Sequence, residues 1–185
     1  MNVKEFSKAK NGNEYLSANF KVREFACNDG TDNILIDLDM IPILQKIRDV
    51  GGRVTINSAY RTPSYNKKVG GASNSYHTKG RAFDIVSERL SITDICNLAN
   101  TLGVKGIIKY PSFVHIDSRE TKYHADNKGN LLTFGYYKLE DKPMTKEEQL
   151  KLIQEKAGLD DNTMQYLQFY RYEDALIEKL ANAMK

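Results

Sequence analysis

Two of the three histidines and two aspartates are the residues of this sequence whose types and spacing suit metal chemistry. His77 precedes Asp84 by seven positions, and His115 precedes Asp117 by two. Asp84 lies between two large apolar residues, where a carboxylate without a partner is costly to bury, and a metal ion is one such partner. Two imidazoles and one carboxylate, with a fourth position left open for water, form a catalytic zinc arrangement.

Each of these residues also has an interpretation without metal. His77 is compatible with a surface loop, and Asp84 with a hydrogen bond to a backbone amide. His115 and Asp117 point to the same face of a strand because alternate residues do so, and a pair at this spacing also arises by chance. The remaining histidine, His124, lies in the polar stretch KYHADNKG and is predicted to be a solvated surface residue.

Short strands must position these side chains. The pattern of β-branched and apolar residues predicts strands at 54–60, 81–86, 106–110, 113–118 and 131–137. Helices are predicted from the run that follows Asp37 up to Gly51, and from a Ser91 cap to about Leu102. The segment 62–80 is dense in Pro, Ser, Asn and Gly, so it is predicted to be a loop that contains one short helical turn.

Composition excludes several classes of protein. The chain has 185 residues, of which 41% are hydrophobic and 28% charged, as expected for a soluble globular domain. No stretch approaches the roughly 20 apolar residues needed to cross a bilayer, so membrane insertion is not expected. The 27 basic and 24 acidic residues form no dense cationic stripe, so nucleic acid is not an expected partner. The two cysteines, Cys27 and Cys96, are predicted to be reduced thiols.

The C-terminal part has a different pattern. Thr145 and Glu148 form a capping box before a helix that Gly158 can end. Asp160 or Asp161 can cap a second helix, whose apolar stripe contains Leu176, Leu180 and Met184. We therefore predict a main domain at 1–140 and a helical tail of unknown role at 145–185. The sequence leaves open whether this tail is a separable helical hairpin or packs on the main domain.

Two segments carry a resemblance to a known family. In order, between Asn19 and Arg119, they are INSAYRTPSYNKKVGGASNSYHTKGRAFDI and GIIKYPSFVHIDSR. They resemble the zinc D-Ala-D-Ala carboxypeptidase family of peptidoglycan metallopeptidases, which includes phage L-alanyl-D-glutamate endolysins. The resemblance implies an α+β fold of the hedgehog/D-Ala-D-Ala peptidase type. Such a fold has a small antiparallel sheet with helices on one face and zinc on the other, to which the C-terminal helical hairpin is added.

The same resemblance implies roles for individual residues. His77, Asp84 and His115 would hold one zinc ion. Arg61 would bind a substrate carboxylate or help to polarise the scissile carbonyl, as its planar guanidinium suits. Ser75 would donate a hydrogen bond to the substrate, or else stabilise its own loop.

The position of the general base departs from the family pattern. The best-known members have an acidic residue three positions before the last zinc-binding histidine, and here that position is Ser112. A serine hydroxyl is not a base near neutral pH. Asp117 is the candidate substitute because it shares a face with His115. The competing interpretation makes Asp117 a partner that orients His115 or an arginine.

The expected function is therefore hydrolysis of the peptide stems of bacterial peptidoglycan by a zinc-dependent carboxypeptidase or endopeptidase. The size of the chain and the absence of an apolar leader at the N-terminus resemble a phage or prophage endolysin. Such an enzyme is made in the cytoplasm and reaches the cell wall after release by a holin. The alternative is a non-catalytic zinc-containing module on the same fold, which binds or recognises the cell wall. The absence of an acidic residue at position 112, where this chain has Ser112, favours that alternative. The sequence does not predict the oligomeric state.

Overall fold

A computed structural model of the chain describes residues 2–139, 146–168 and 173–184. The chain divides into two compact units, Met1–Lys138 and Leu139–Lys185. Thr145 of the predicted capping box and residues 140–144 of the predicted interdomain segment lie outside the described residues. Each unit is described by itself.

The first unit begins with a two-stranded antiparallel sheet. Its strands are β1 (Val3–Ser7) and β2 (Asn33–Asp37), and the short helix α1 (Lys8–Asn11) follows β1. No strand was predicted at the position of β2. Ile34 and Ile36 of this strand are fully buried, and Asp37 is buried at its end. This sheet matters for function because the turn that carries His77 packs against β2.

A five-stranded sheet forms the centre of the unit. Its strands are β3 (Val54–Ser58), β4 (Ala82–Ser87), β5 (Gly106–Lys109), β6 (Val114–Asp117) and β7 (Tyr123–Asp126). They lie in the order β3-β4-β6-β5-β7, and every pair is antiparallel except β5 with β7. The predicted α+β fold with a small antiparallel sheet is confirmed, and the parallel pairing of β7 makes the larger sheet mixed.

Two helices cover one face of this sheet. They are α2 (Ile41–Gly51) and α4 (Ile92–Thr101), with the shorter α3 (Pro63–Lys68) between them in the chain. The Ser87 hydroxyl donates to the Gly51 carbonyl at 2.7 Å, and Lys109 Nζ donates to Thr93 Oγ1 at 2.9 Å. Ser87 and Lys109 therefore mark the face that α2 and α4 cover. Side chains at alternate positions of the strands, including Asp84 and His115, point to the opposite face.

The segment after β7 differs from its prediction. A strand was expected at 131–137, but only Leu131 forms a bridge, with Ala125, and residues 132–139 have no regular structure. Side chains of α4 supply hydrogen-bond partners here in place of a neighbouring strand. Asn100 Nδ2 donates to the carbonyls of Phe134 and Gly135 at 3.1 and 3.0 Å, and the Tyr137 amide donates to Thr101 Oγ1 at 2.8 Å. The prediction was wrong because alternation does not reveal such partners.

The second unit is helical in its described residues. It contains α5 (Lys146–Ala157), α6 (Asp161–Gln168) and α7 (Glu173–Ala183), packed around Ile153, Met164 and Ile177. Gly158 ends α5 with φ +63°, and Asp160 caps α6 by accepting a 2.7 Å bond from the Thr163 amide. The predicted second helix corresponds to α6 and α7, between which residues 169–172 are not described. No described helix is long and apolar enough to cross a membrane.

Candidate metal centre

Three side chains from separate parts of the chain converge on the sheet face opposite the helices. His77 lies in a single 3₁₀ turn, His77–Lys79, whereas Asp84 and His115 are paired directly across β4 and β6. Asp84 Oδ1 lies 3.2 Å from His77 Nε2 and 2.9 Å from His115 Nδ1, and the two ring nitrogens are 3.1 Å apart. The structure thus brings together the three residues predicted to hold a metal, which we call the ligand cluster.

Gly80 positions the turn that carries His77. It has φ +67°, a conformation that favours glycine, and its carbonyl accepts a 2.8 Å bond from the Asp37 amide of β2. A Cβ at this position would come within 2.5 Å of the Leu35 backbone. Any larger residue would therefore push the turn away from β2 and move His77 relative to the sheet.

The outer nitrogens of the two histidines fix their tautomers. His77 Nδ1 donates to the Ala59 carbonyl at 2.7 Å, and His115 Nε2 lies 3.0 Å from Asp117 Oδ2. With protons on these outer nitrogens, the inner nitrogens present lone pairs. In these neutral tautomers they meet Asp84 Oδ1, a third acceptor, and none of the three atoms carries a proton. Such a set suits a cation, and ligand atoms around tetrahedral zinc with bonds of about 2.0–2.1 Å stand about 3.3 Å apart.

Arg61 holds the outer oxygen of Asp84. Its Nη2 donates to Asp84 Oδ2 at 2.6 Å, and its Nε donates to Ser58 Oγ at 2.8 Å. Burial raises the pKa of Asp84, but the adjoining imidazoles of His115 and His77, which donate to this carboxylate when they are protonated, outweigh burial and hold the pKa well below its usual range. Asp84 is therefore an anion, and Arg61 fixes its orientation.

Asp117 lies behind His115 and faces the ring nitrogen that points away from the ligand cluster. The side chain is fully buried, and Arg119 occupies its remaining lone pairs: Nε donates to Oδ1 at 2.7 Å and Nη2 donates to Oδ2 at 2.5 Å. Burial raises the pKa of Asp117, whereas bonds with Arg119 and His115 lower it to about 2. Gly106 makes room for this carboxylate, because a Cβ there would lie 2.0 Å from Oδ1.

His115 is the titratable group on which both carboxylates act. Burial alone would lower its pKa, but hydrogen bonds with Asp117 and Asp84 outweigh burial and raise the pKa. In the metal-free protein this ring therefore attracts a proton. A metal ion that binds at Nδ1 must compete with that proton, so metal affinity falls as the pH is lowered.

The ligand cluster forms part of the wall of an open cleft of about 470 Å³. Tyr110 stacks on Phe113 at one side of it, with ring centroids 4.2 Å apart, and Arg61 and Ser75 also line it. The Ser75 hydroxyl accepts a 3.3 Å bond from the His77 amide, whereas Ser112 is exposed and does not line the cleft. Among the described residues that line the cleft, Asp84 is the only carboxylate.

Sequence reasoning placed one residue wrongly. His124 was predicted to be a solvated surface histidine, but it is 4% exposed. Its Nε2 donates to the Val104 carbonyl at 3.2 Å, its ring packs against Phe134 at 5.3 Å, and its Nδ1 has no hydrogen-bond partner in the described structure. The polar neighbours in the sequence concealed that His124 lies on the covered face of β7.

Sequence reasoning also overlooked Arg119 and Tyr110. Arg119 follows Asp117 by two residues, a spacing at which side chains of an extended segment lie on one side. That spacing was an available signal for the ion pair between them. Tyr110 carries no comparable signal, because an aromatic residue at a strand end is as compatible with the core as with a cleft.

Comparison with known proteins gives matches of two kinds, a family profile and individual relatives. A profile of the family described as Peptidase M15 matches residues 13–117, a range that contains the ligand cluster and Arg61. Peptidoglycan L,D-endopeptidases MepK from Escherichia coli K12, Escherichia coli O157:H7 and Shigella flexneri are each 32% identical to the chain over 92 residues. These matches cover 46% of this chain and 50% of each relative, so the chain spans about half the length of the curated relatives it matches.

Proposed function

The chain belongs to the peptidase M15 family, and we therefore propose that it is a zinc-dependent peptidase that hydrolyses the peptide stems of bacterial peptidoglycan. One observation carries the proposal: three potential ligand atoms of His77, Asp84 and His115 lie within 4.8 Å of one another at an open cleft. The names of the similar MepK proteins support peptidoglycan as the substrate class and an endopeptidase cut as the reaction.

The donor set fits zinc. Two neutral imidazoles and one carboxylate suit a borderline-soft divalent ion and leave a coordination position open. When bound there, zinc supplies Lewis acidity, which polarises a peptide carbonyl and favours deprotonation of the attacking water near neutral pH. The remaining contributions come from the chain itself.

The chain's own residues hold the ligands in position. The Ala59 carbonyl and Asp117 each fix one histidine in the tautomer that presents a lone pair to the ligand cluster. Arg61 keeps Asp84 oriented through its outer oxygen and presents its guanidinium to the cleft, beside the path of a substrate. Burial raises the pKa of Tyr110, so its hydroxyl stays protonated and acts in the cleft as a hydrogen-bond donor.

We assign Asp117 to positioning rather than to general base. Both of its oxygens are engaged by Arg119 and His115, and its pKa of about 2 makes it a weak base at neutral pH. It also faces the ring nitrogen of His115 that points away from the ligand cluster. Its role in this proposal is to hold the ring and to raise the basicity of the inner nitrogen.

A non-catalytic zinc module that binds the cell wall is the second candidate. The observation that favours it is the composition of the cleft: Ser112 stands exposed at the usual acidic position, and Asp84 is the only carboxylate among the described lining residues. This candidate shares the ligand cluster and the substrate class with the peptidase and differs only in the absence of turnover.

Purified full-length chain, loaded with zinc and incubated with muropeptides, separates the two candidates. We expect zinc-dependent release of new amino termini, its loss with a chelator, and its loss in Asp84→Asn. The matched control is Asp126→Asn, which makes the same change in a carboxylate at the end of β7 outside the ligand cluster. Stoichiometric zinc without cleavage would overturn the peptidase and support the binding module.

Two finer parts of the proposal concern the bond that is cut and the biological setting. Mass spectrometry of digested sacculi distinguishes a carboxypeptidase product, which lacks only the terminal residue, from an endopeptidase product. Action as a phage or prophage endolysin that reaches the wall after holin-mediated release predicts that expression lyses cells only when a holin is co-expressed. Lysis that is independent of the holin would contradict this route.

A further inference from the structure

A second pocket, of about 460 Å³, adjoins the cleft of the ligand cluster. Tyr76 and Arg119 line both of them, so the two lie on either side of these side chains. We call the second one the cationic pocket. Its other lining side chains include Arg81, Glu120, Lys122 and Tyr123.

Cations gather around one aromatic ring at the boundary between the cleft and this pocket. The guanidinium carbons of Arg81 and Arg119 lie 5.1 and 5.0 Å from the centre of the Tyr76 ring, and Lys79 Nζ lies 5.3 Å from it. Arg119 also lies 4.7 Å from the centre of the Tyr123 ring. The aromatic faces stabilise the cations and limit their movement.

Both guanidinium groups are anchored from one side. Arg81 donates through Nε to Ser118 Oγ at 3.1 Å and through Nη2 to the Ser118 carbonyl, and Arg119 donates through Nε and Nη2 to Asp117. In the described residues, Nη1 of each arginine has no protein acceptor. Two oriented donor groups are therefore available beside the cleft, and little side-chain entropy remains to be lost when a ligand binds them.

The charges of the pocket are not balanced. Arg119 is neutralised by Asp117, whereas Arg81 contacts Ser118, whose hydroxyl donates to the buried carboxylate of Asp37. No described carboxylate forms a direct ion pair with Arg81 or Lys122. Glu120, which is exposed, is the one carboxylate among the described lining residues. The side chains that line the pocket thus carry more positive than negative charge, as expected where an anionic group of a ligand binds.

We propose that the cationic pocket binds a carboxylate of the peptide stem that lies next to the scissile bond, and that Arg81 is the specificity-determining residue. This inference rests on the proposed function for the identity of the ligand. Peptide stems carry free carboxylates, and a guanidinium that is fixed on one side offers the planar donor geometry that a carboxylate accepts. Arg61 does not substitute for Arg81 here, because its Nη2 is committed to Asp84.

The test compares two peptides that differ only in this group. One is a stem peptide with free carboxylates, and the other is the same peptide with those carboxylates converted to carboxamides. Binding to the metal-free full chain is measured by calorimetry, and KM and kcat are measured with the zinc-loaded chain. We expect the carboxylate peptide to bind about tenfold more tightly and to have a correspondingly lower KM, with kcat nearly equal.

Three variants locate the effect. Arg81→Gln is expected to remove the tenfold preference by weakening only the carboxylate peptide, and Arg81→Lys is expected to restore part of it because the charge remains. The matched control is Lys46→Gln, which removes a solvent-exposed positive charge from α2, on the other side of the sheet from the ligand cluster. This variant is expected to keep the preference for the carboxylate peptide. Thermal unfolding of each variant verifies that the fold is retained.

The outcomes distinguish this inference from the proposed function. Equal binding of the two peptides by the unmodified chain, or an unchanged preference in folded Arg81→Gln, would overturn the inference even if both peptides are cleaved. A preference that depends on Arg81 in the binding measurement, without any turnover, would support the carboxylate site and contradict the peptidase.

Discussion

The two buried histidines of the five-stranded sheet lie on opposite faces of it and have opposite electrostatic environments. His115 on β6 pairs with Ile108 of β5, whereas His124 on β7 pairs with Ile107, the neighbouring residue, so their rings point to opposite sides. His115 is 9% exposed and His124 is 4% exposed. Burial is thus nearly equal, and the difference lies in their partners.

Those partners move the two pKa values in opposite directions. His115 has a carboxylate at each ring nitrogen, so hydrogen bonds outweigh burial and raise its pKa. His124 has one backbone carbonyl as a partner, and its Nδ1 has none among the residues that the structure describes, so burial dominates and lowers its pKa. Burial by itself therefore does not identify a functional histidine. Neighbouring acceptor atoms that can bind the same cation as the ring are the better indicator.

The largest expected difference between the two histidines concerns metal binding. His115→Ala removes one of three ligands, so we expect the chain to lose its zinc on dialysis and to lose peptidase activity completely. His124→Ala leaves the ligand cluster intact, so we expect stoichiometric zinc in the fraction that remains folded. Metal analysis of both variants after gel filtration checks this. Zinc retained by His115→Ala would contradict the assignment of His115, rather than His124, as a metal ligand.

The next largest effect concerns the carboxylate behind His115. Asp117→Asn keeps the shape but weakens the bond that orients the ring, so we expect zinc affinity to fall about 10- to 100-fold, with activity partly restored by excess zinc. Competition with a chromophoric chelator measures the affinity. An unchanged affinity together with a kcat lowered about 100-fold or more would instead assign Asp117 as the general base.

A smaller effect tests the space that Asp117 requires. Gly106→Ala places a methyl group against the buried carboxylate, so we expect a loss of about 1–3 kcal/mol in the free energy of unfolding and weaker zinc binding. The control is Gly135→Ala, where the nearest atom to a new Cβ is 3.7 Å away. Urea unfolding measures the stability of both variants. Equal stabilities of Gly106→Ala and Gly135→Ala would contradict the prediction, because they would show that the Asp117 carboxylate moves aside without a loss of stability.

The smallest effect is the pH dependence of stability that His124 contributes. Its pKa is lower in the folded than in the unfolded chain, where the value is about 6.5, so the unfolded chain binds more protons in acid. Relative to His124→Gln, the unmodified chain is therefore expected to lose stability as the pH falls from about 7 to 5, and to show no such change above pH 7. Urea unfolding of the metal-free proteins checks this, and parallel pH profiles would contradict it.

Local patterns were sufficient for the elements that carry the ligand cluster. Alternation predicted β3, β4, β5 and β6, and the Ser91 cap with its apolar stripe predicted α4, because these features depend on residues close together in the chain. The same reasoning missed β2 and misplaced a strand at 131–137. In the second case the backbone partners are side chains of Asn100 and Thr101, more than 30 positions away.

The chemical types of the site, two imidazoles and a carboxylate, and the short strands that carry Asp84 and His115 follow from the amino-acid sequence. Three further features depend on the folded chain: the ring nitrogen of each histidine that faces inward, the position of Asp117 behind His115, and the placement of Arg81 and Arg119 beside one tyrosine. Side-chain alternation is a property of the local backbone. The partners at the outer atoms, from the Ala59 carbonyl to the space beside Gly106, depend on strand register and on packing between distant segments.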